Sequence, residues 1–94
     1  MEQISKEEIE ATAERIKDHV HRTPLLTCGS LDDLAGCKLF FKCENFQKSG
    51  SFKVRGATNT FLKKREQYAK EGGSMKGVTT VSSGNMATAL SYIA

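Results

Sequence analysis

Tryptophan is absent from this 94-residue sequence, which has one proline and two histidines. It also has no apolar run near the ~18 residues that suggest a membrane-spanning helix, and its acidic start lacks the apolar segment of a secretory signal. The three cysteines, Cys28, Cys37 and Cys43, are odd in number, and their spacing fits neither a zinc site nor a disulfide framework. We therefore expect reduced thiols, no metal site, no membrane association and a cytoplasmic location.

Charge of one sign is not concentrated anywhere except in the triplet 63–65, Lys-Lys-Arg, and the net charge is only +3. No aromatic platform or basic stripe accompanies this triplet, so it is typical of a solvated helix face and not of a nucleic-acid surface. The composition, 38% hydrophobic and 27% charged, is ordinary for one small globular unit. We expect no nucleic-acid partner.

Helices and strands alternate along the predicted chain. Ser5 and Glu8 form a capping box, and the apolar residues after it predict an amphipathic helix of about fifteen residues. These residues recur at helical spacing: Ile9, Ala13, Ile16 and Val20. Further patterns predict strands and helices in the following order: strand 25–28, helix 30–35, strand 38–44, a helix reaching about residue 70, strand 77–81 and a last helix. This alternation predicts an α/β fold with a parallel sheet.

A polar turn, residues 47–57, runs into the long predicted helix and places Lys53 at the changeover. If Ser51 caps the helix, Lys53 lies in its first turn, where free N–H groups and the macrodipole disfavour a cation. Partial burial together with the neighbouring charges of Lys48 and Arg55 would lower the pKa of the Lys53 amine, and a neutral amine can attack a carbonyl. Position alone, however, favours an ordinary solvated lysine.

A second candidate site is the turn Ser82-Ser83-Gly84-Asn85, which follows the last predicted strand and precedes the last helix. Open α/β sheets bind ligands at such strand-to-helix junctions, and glycine there lets the backbone approach a cofactor. Taken alone, these residues are more typical of an ordinary capped turn, because Ser, Gly and Asn are the usual turn residues.

A resemblance to one protein family connects the two turns. Residues 40–57, Phe-Phe-Lys-Cys-Glu-Asn-Phe-Gln-Lys-Ser-Gly-Ser-Phe-Lys-Val-Arg-Gly-Ala, resemble the lysine motif of the fold-type-II pyridoxal-phosphate enzymes, in particular serine racemases and serine/threonine dehydratases. The likeness extends from about Glu10, through His-Arg-Thr-Pro-Leu at 21–25, to Ala94. It implies the parallel-sheet α/β fold of the tryptophan-synthase-beta-like enzymes, incomplete in this chain.

The resemblance also implies roles for individual residues. Lys53 would form the Schiff base with pyridoxal 5'-phosphate, and Phe52 and Asn85 would contact the cofactor, Asn85 through the ring hydroxyl. Ser83 would be the acid/base on the face opposite Lys53. Lys48 and Ser49 fall where part of a nucleotide site would lie, which implies ATP and a divalent metal as ligands of the complete protein. The sequence departs from the family pattern of this nucleotide site at 28–29, where it has Cys-Gly and small hydroxyl residues are expected.

The activity implied is interconversion of L- and D-serine, with elimination to pyruvate and ammonia as a neighbouring outcome. An L-serine/L-threonine dehydratase is the alternative within the class, and the complete enzyme is expected to be a homodimer acting on serine or threonine. An alternative of another class is an inactive truncated isoform that associates with full-length subunits.

Two departures from the family pattern qualify these implications. The family continues Ser-Ser-Gly-Asn with His, a small residue and Gln, whereas this chain has Met-Ala-Thr at 86–88. Family members are also far longer, so residues 1–94 are expected to be the N-terminal portion of an enzyme domain, truncated at its C-terminal end. Without the glycine-rich loop that binds the phosphate, the isolated chain is expected to be inactive, since Gly-Gly-Ser at 72–74 is typical of a helix-ending turn.

Overall fold

The computed structural model describes residues 3–79, 81, 82 and 84–94. Helix α1 (Lys6–Ile16) begins at the predicted capping box: the Ser5 hydroxyl accepts a hydrogen bond from the Glu8 N–H, and the Glu8 carboxylate accepts one from the Ser5 N–H, both at 3.1 Å. The helix is 11 residues long, shorter than predicted. Only the second half of the expected apolar stripe packs against the rest of the protein: Ile16 is buried, whereas Ile9 remains exposed.

Two short strands form an antiparallel pair. In β1 (Leu25–Leu26) and β2 (Phe41–Lys42), Leu25 lies opposite Lys42 and Leu26 opposite Phe41. The connection contains helix α2 (Gly29–Ala35), which ends at a left-handed glycine with φ 72°, as predicted. The side chain of Asp32 in α2 accepts a hydrogen bond from the Leu39 N–H at 2.9 Å, so the chain turns back over a short distance. The prediction that these strands pair in parallel is therefore wrong.

The third predicted strand, 77–81, is not present in the described part of that segment. Residues 77–79 and 81 have no regular structure, and Thr80 lies outside the described residues. A β-branched run becomes a strand only when another strand satisfies its backbone groups, and neither β1 nor β2 pairs with this segment. In residues 3–79, 81–82 and 84–94, the sheet consists of β1 and β2 alone.

The core lies between helices α3 (Lys53–Lys70) and α4 (Asn85–Ile93). Its buried centre consists of Val54, Ala57 and Ala89. The partly buried side chains packed against this centre are those of Val20, Met86 and Ile93. Helix α1 is joined to α3 by a 2.6 Å hydrogen bond from Arg15 to the Asn59 side chain. This arrangement positions the first turn of α3, where the candidate lysine lies, against α4.

The molecule is extended, measuring 57 × 31 × 28 Å, with a radius of gyration of 16.7 Å. A compact domain of this length would have a radius of about 12 Å. Large apolar side chains remain exposed on the β1–α2–β2 unit, where Leu34 is 85% exposed and Phe40 63%. Among the described helices, none combines the length and the apolar character needed to cross a membrane.

Candidate active site

Lys53 is the first residue of α3 and is half-buried. Its backbone N–H donates to the hydroxyl of Ser51 at 3.4 Å. The N-cap is Phe52, without a side-chain capping bond, so the helix starts one residue later than a Ser51 cap predicts. Its amine lies 5.4 Å from the centre of the Phe52 ring, and that ring is 61% exposed. The predicted lysine therefore stands at a helix N-terminus beside an accessible aromatic face.

Two 3-10 turns, Glu44–Phe46 and Lys48–Gly50, carry the chain from β2 to Lys53. Ser49 adopts a left-handed conformation with φ 65°, which is uncommon for a residue with a Cβ and typical of functional loops. Its hydroxyl is buried and has no hydrogen-bond partner among the described residues. The Lys48 amine lies 5.9 Å from the centre of the Tyr92 ring, which joins this turn to α4.

The same loop is closed by an ion pair between Glu44 and Arg55. The Arg55 guanidinium donates from Nε to one carboxylate oxygen and from Nη2 to the other at 3.1 Å. Thr23 adds a hydroxyl hydrogen bond of 2.5 Å to the carboxylate. The hydrogen bond from Arg55 outweighs the cost of burial and holds the pKa of Glu44 at about 2, and the Glu44 carboxylate in turn raises the pKa of Arg55.

Gln47 attaches the loop to the segment before β1. Its side-chain oxygen accepts a hydrogen bond from the His21 N–H at 2.8 Å, and its side-chain nitrogen donates to the His21 carbonyl at 2.8 Å. The oxygen also accepts from the Lys48 N–H at 3.0 Å. Gln47 is only 4% exposed, and these contacts satisfy its buried amide. We refer to Thr23, Glu44, Gln47 and Arg55, with the His21 backbone, as the polar clasp.

Sequence reasoning missed the polar clasp. It placed Glu44 at the end of a strand and treated Arg55 as a charge neighbour of Lys53, whereas Arg55 is bound to Glu44. Periodicity carries no signal for contacts between residues so far apart in the chain. The only hint was that the resemblance included both the 21–25 segment and the lysine motif.

The second predicted turn is only partly described. Asn85 is the first residue of α4 and is exposed, the Gly84 N–H donates to the Ser82 hydroxyl at 3.2 Å, and Ser83 lies outside the described residues. The Asn85 and Lys53 side chains, both described, are not joined by a hydrogen bond. They begin the two helices that pack together around the core.

Comparison with known proteins identifies the class. Residues 16–94 match the family model described as "Pyridoxal-phosphate dependent enzyme", and the chain belongs to this family. It is 52% identical over 88 residues to the beta-hydroxyaspartate dehydratase of Paracoccus denitrificans, covering 94% of this chain and 26% of that protein. The chain therefore spans about a quarter of the length of the curated relatives it matches.

Solved structures show the same relationship. The serine racemase of Dictyostelium discoideum has a TM-score of 0.83 at 45% identity, over 95% of this chain and 28% of that one. A pyridoxal 5'-phosphate-dependent aspartate racemase has a TM-score of 0.86 at 38% identity, over 98% of this chain and 29% of that one. The predicted fold class is confirmed by these structures, although the described part of this chain contains no parallel strand pair.

The residues present fit one part of pyridoxal phosphate. Lys53 offers an amine to its aldehyde, the Phe52 ring lies beside that amine, and Asn85 offers an amide at the start of α4. The Gly72–Gly73 turn does not fit the phosphate, because the Gly73 N–H donates to the Tyr68 carbonyl at 2.8 Å and Gly72, at φ 79°, ends the helix. The contacts around Gly72 are those of a helix C-terminus, as predicted from the sequence.

Proposed function

We propose that the complete protein carrying this chain is a pyridoxal-phosphate-dependent serine racemase. The observation that carries the proposal is the placement of Lys53: a half-buried residue on the first turn of a helix, at the end of a loop held by the polar clasp. The relatives named serine racemase, at 45–50% identity over most of the chain, support this choice of reaction.

Each residue of the site has a proposed role. Lys53 binds the cofactor covalently, and Phe52 and Asn85 contact it. When bound, pyridoxal phosphate withdraws electrons from the Cα of the amino acid and makes its proton acidic. The Lys53 amine accepts that proton on one side, and the Ser83 hydroxyl supplies a proton to the opposite side, since inversion requires two groups.

Mapping of the bound cofactor tests the role of Lys53. After borohydride reduction of the complete protein and proteolysis, we expect the phosphopyridoxyl group on Lys53. Lys48, five residues earlier in the same loop, is the matched control because it is also half-buried but lies over Tyr92. Recovery of the group on Lys48, or on no lysine of this chain, contradicts the proposal.

Isotope exchange tests the role of Ser83. In deuterated water, Ser83→Ala is expected to impair interconversion of the serine enantiomers more than α-proton exchange from the enantiomer whose Cα–H faces Lys53. Equal loss of exchange from both enantiomers would mean that Ser83 has a structural role.

A dehydratase is the second candidate, favoured by the 52% identity to a protein named beta-hydroxyaspartate dehydratase and the 45% identity to a putative threonine dehydratase. Assays on serine, threonine and β-hydroxyaspartate distinguish the two. Formation of D-serine supports the racemase, whereas a keto acid and ammonia without D-serine support the dehydratase.

The remaining parts of the proposal concern ligands and assembly. Lys48 and Ser49 are proposed to take part in binding ATP with a divalent metal, which titration of the nucleotide into Lys48→Ala and the unaltered protein tests. A homodimer is proposed for the complete protein, and sedimentation measures it. The three cysteines are free, which supports the proposed location in the reducing cytoplasm.

A further inference from the structure

The polar clasp closes the loop that contains Lys53. Glu44 precedes the loop and Arg55 follows it, and Lys53 lies two residues before Arg55 on the same helix turn. The ion pair uses both carboxylate oxygens, a bidentate geometry that restricts orientation as well as distance. Any rotation of the first turn of α3 that moves Lys53 must therefore also distort this pair.

The start of the loop is also attached to the segment that precedes β1. Gln47 binds both backbone groups of His21, and Thr23 from the same segment donates to Glu44. The Lys42 amine donates to the Thr23 carbonyl at 2.8 Å, which attaches β2 to this segment as well. The loop is thus anchored to residues 21–23 at two points, more than twenty residues before it in the chain.

The polar clasp also neutralises a positive charge that lies close to Lys53. Arg55, a cation on the same helix turn, is neutralised by Glu44 and donates in addition to the His21 carbonyl at 3.4 Å. The Glu44 side chain is 15% exposed, so the pair is better shielded from water than a surface pair such as Lys6–Glu10, whose side chains are 82% and 65% exposed.

We propose that Glu44 and Arg55 are positioning residues for the Lys53 amine: they touch no reacting atom, and they fix the orientation in which Lys53 meets the cofactor aldehyde. The proposal rests on the proposed function. It also gives the 21–25 segment a role, because His21 and Thr23 in this segment hydrogen-bond the loop that carries Lys53.

Two variants separate charge from geometry. Glu44→Gln keeps the shape of the side chain and removes its charge, and Arg55→Lys keeps the charge and removes the bidentate fork. Glu10→Gln is the matched control, because it removes one carboxylate from an exposed 3.6 Å ion pair far from the loop. All are prepared in the complete protein and compared where far-UV circular dichroism shows the native helix content.

The first measurement needs no cofactor. Cofactor-free protein is labelled briefly with acetic anhydride, and peptide mapping gives the labelling of Lys53 relative to Lys63, an exposed lysine on the same helix. Lys63 is already exposed and serves as the internal standard, and because the variants are compared at native helix content, unfolding contributes little to a change at Lys53. We expect the Lys53-to-Lys63 ratio to change by about tenfold in Glu44→Gln and in Arg55→Lys, the effect of losing one charge-assisted hydrogen bond, and to be unchanged in Glu10→Gln.

The second measurement uses pyridoxal phosphate and borohydride, with the share of phosphopyridoxyl groups on Lys53 as the readout. We expect this share to fall in both clasp variants. Ratios and shares within twofold of the unaltered protein in both variants would overturn the proposal. Should Glu44→Gln not fold, Arg55→Lys decides alone. If the unaltered protein traps no cofactor at Lys53, the proposed function fails, while the anhydride ratio still tests the clasp.

Discussion

Two buried threonines are expected to respond in opposite directions to the same substitution. Thr23 and Thr58 are 5% and 1% exposed, but their hydroxyls differ in bonding. Thr23 donates to the Glu44 carboxylate, whereas the Thr58 hydroxyl has no partner among the described residues. Replacement of each by valine, which exchanges the hydroxyl for a methyl group, isolates the value of that hydroxyl.

The magnitudes follow from these environments. Thr58→Val removes an unsatisfied buried hydroxyl, whose burial costs about 1–3 kcal/mol, so the free energy of unfolding should rise by about 1–2 kcal/mol. Thr23→Val removes a hydrogen bond to a charged group, worth about 1.5–3 kcal/mol, and the added methyl returns about 0.8 kcal/mol. The free energy of unfolding should therefore fall by about 1–2 kcal/mol, which separates the variants by about 3 kcal/mol.

Urea unfolding followed by circular dichroism at 222 nm measures both changes. Thr60→Val, on the exposed side of α3, is the control and should stay within about 0.5 kcal/mol of the unaltered protein. If Thr58→Val destabilises the protein, its hydroxyl has a partner and the reasoning fails. If Thr23→Val is neutral, the hydroxyl contributes nothing to the polar clasp.

Two further predictions concern the stability of the protein at acidic pH and the effect of replacing two of its glycines. The pKa of Glu44 lies at about 2, below its usual 4.5, so its stabilising contribution is present above the usual pKa and is lost as the pH falls from about 5 to 2. We expect about 2 kcal/mol of acid-dependent stability, allowing for screening at the partly exposed Arg55, and urea midpoints between pH 2 and 6 should show it in the unaltered protein but not in Glu44→Gln. Gly72→Ala forces a side chain into the left-handed region at φ 79° and should cost about 1–2 kcal/mol, whereas Gly56→Ala inside α3 should stabilise by about 0.5–1 kcal/mol. A Cβ at either glycine meets no atom within 4 Å, so equal thermal shifts in the two variants would contradict a backbone origin.

Features determined by a few neighbouring residues were predicted correctly from the sequence. The capping box at Ser5, the left-handed Gly36 and the end of α3 near Gly72 each depend on contacts within about five positions. The start of α3 was predicted to within one residue, because Phe52 and not Ser51 is the N-cap, although the Lys53 N–H still donates to the Ser51 hydroxyl. Local chemistry thus identified these helix termini, and with them the position of the candidate lysine, but not the end of α1, which is shorter than predicted.

Features that depend on distant partners were not predictable in the same way. The antiparallel pairing of β1 and β2 depends on the return of the chain through the Asp32 contact. The 77–81 segment has strand-forming residues but no paired strand in its described part. The exposure of Ile9 likewise depends on where the neighbouring elements lie, which helical periodicity cannot specify.

The polar clasp shows why the lysine motif and the earlier His-Arg-Thr-Pro segment belong to one site. The motif alone contains Glu44, Gln47 and Arg55, which also bind one another, but each of these side chains has a further partner in residues 21–23. Without that segment, the buried amide of Gln47 loses both contacts to His21, and an unsatisfied buried amide is costly. A loop in that state would relax towards solvent and carry the first turn of α3 with it. The site of Lys53 is therefore built from two segments of the chain, and a transfer of residues 40–57 alone to another scaffold would not reproduce it.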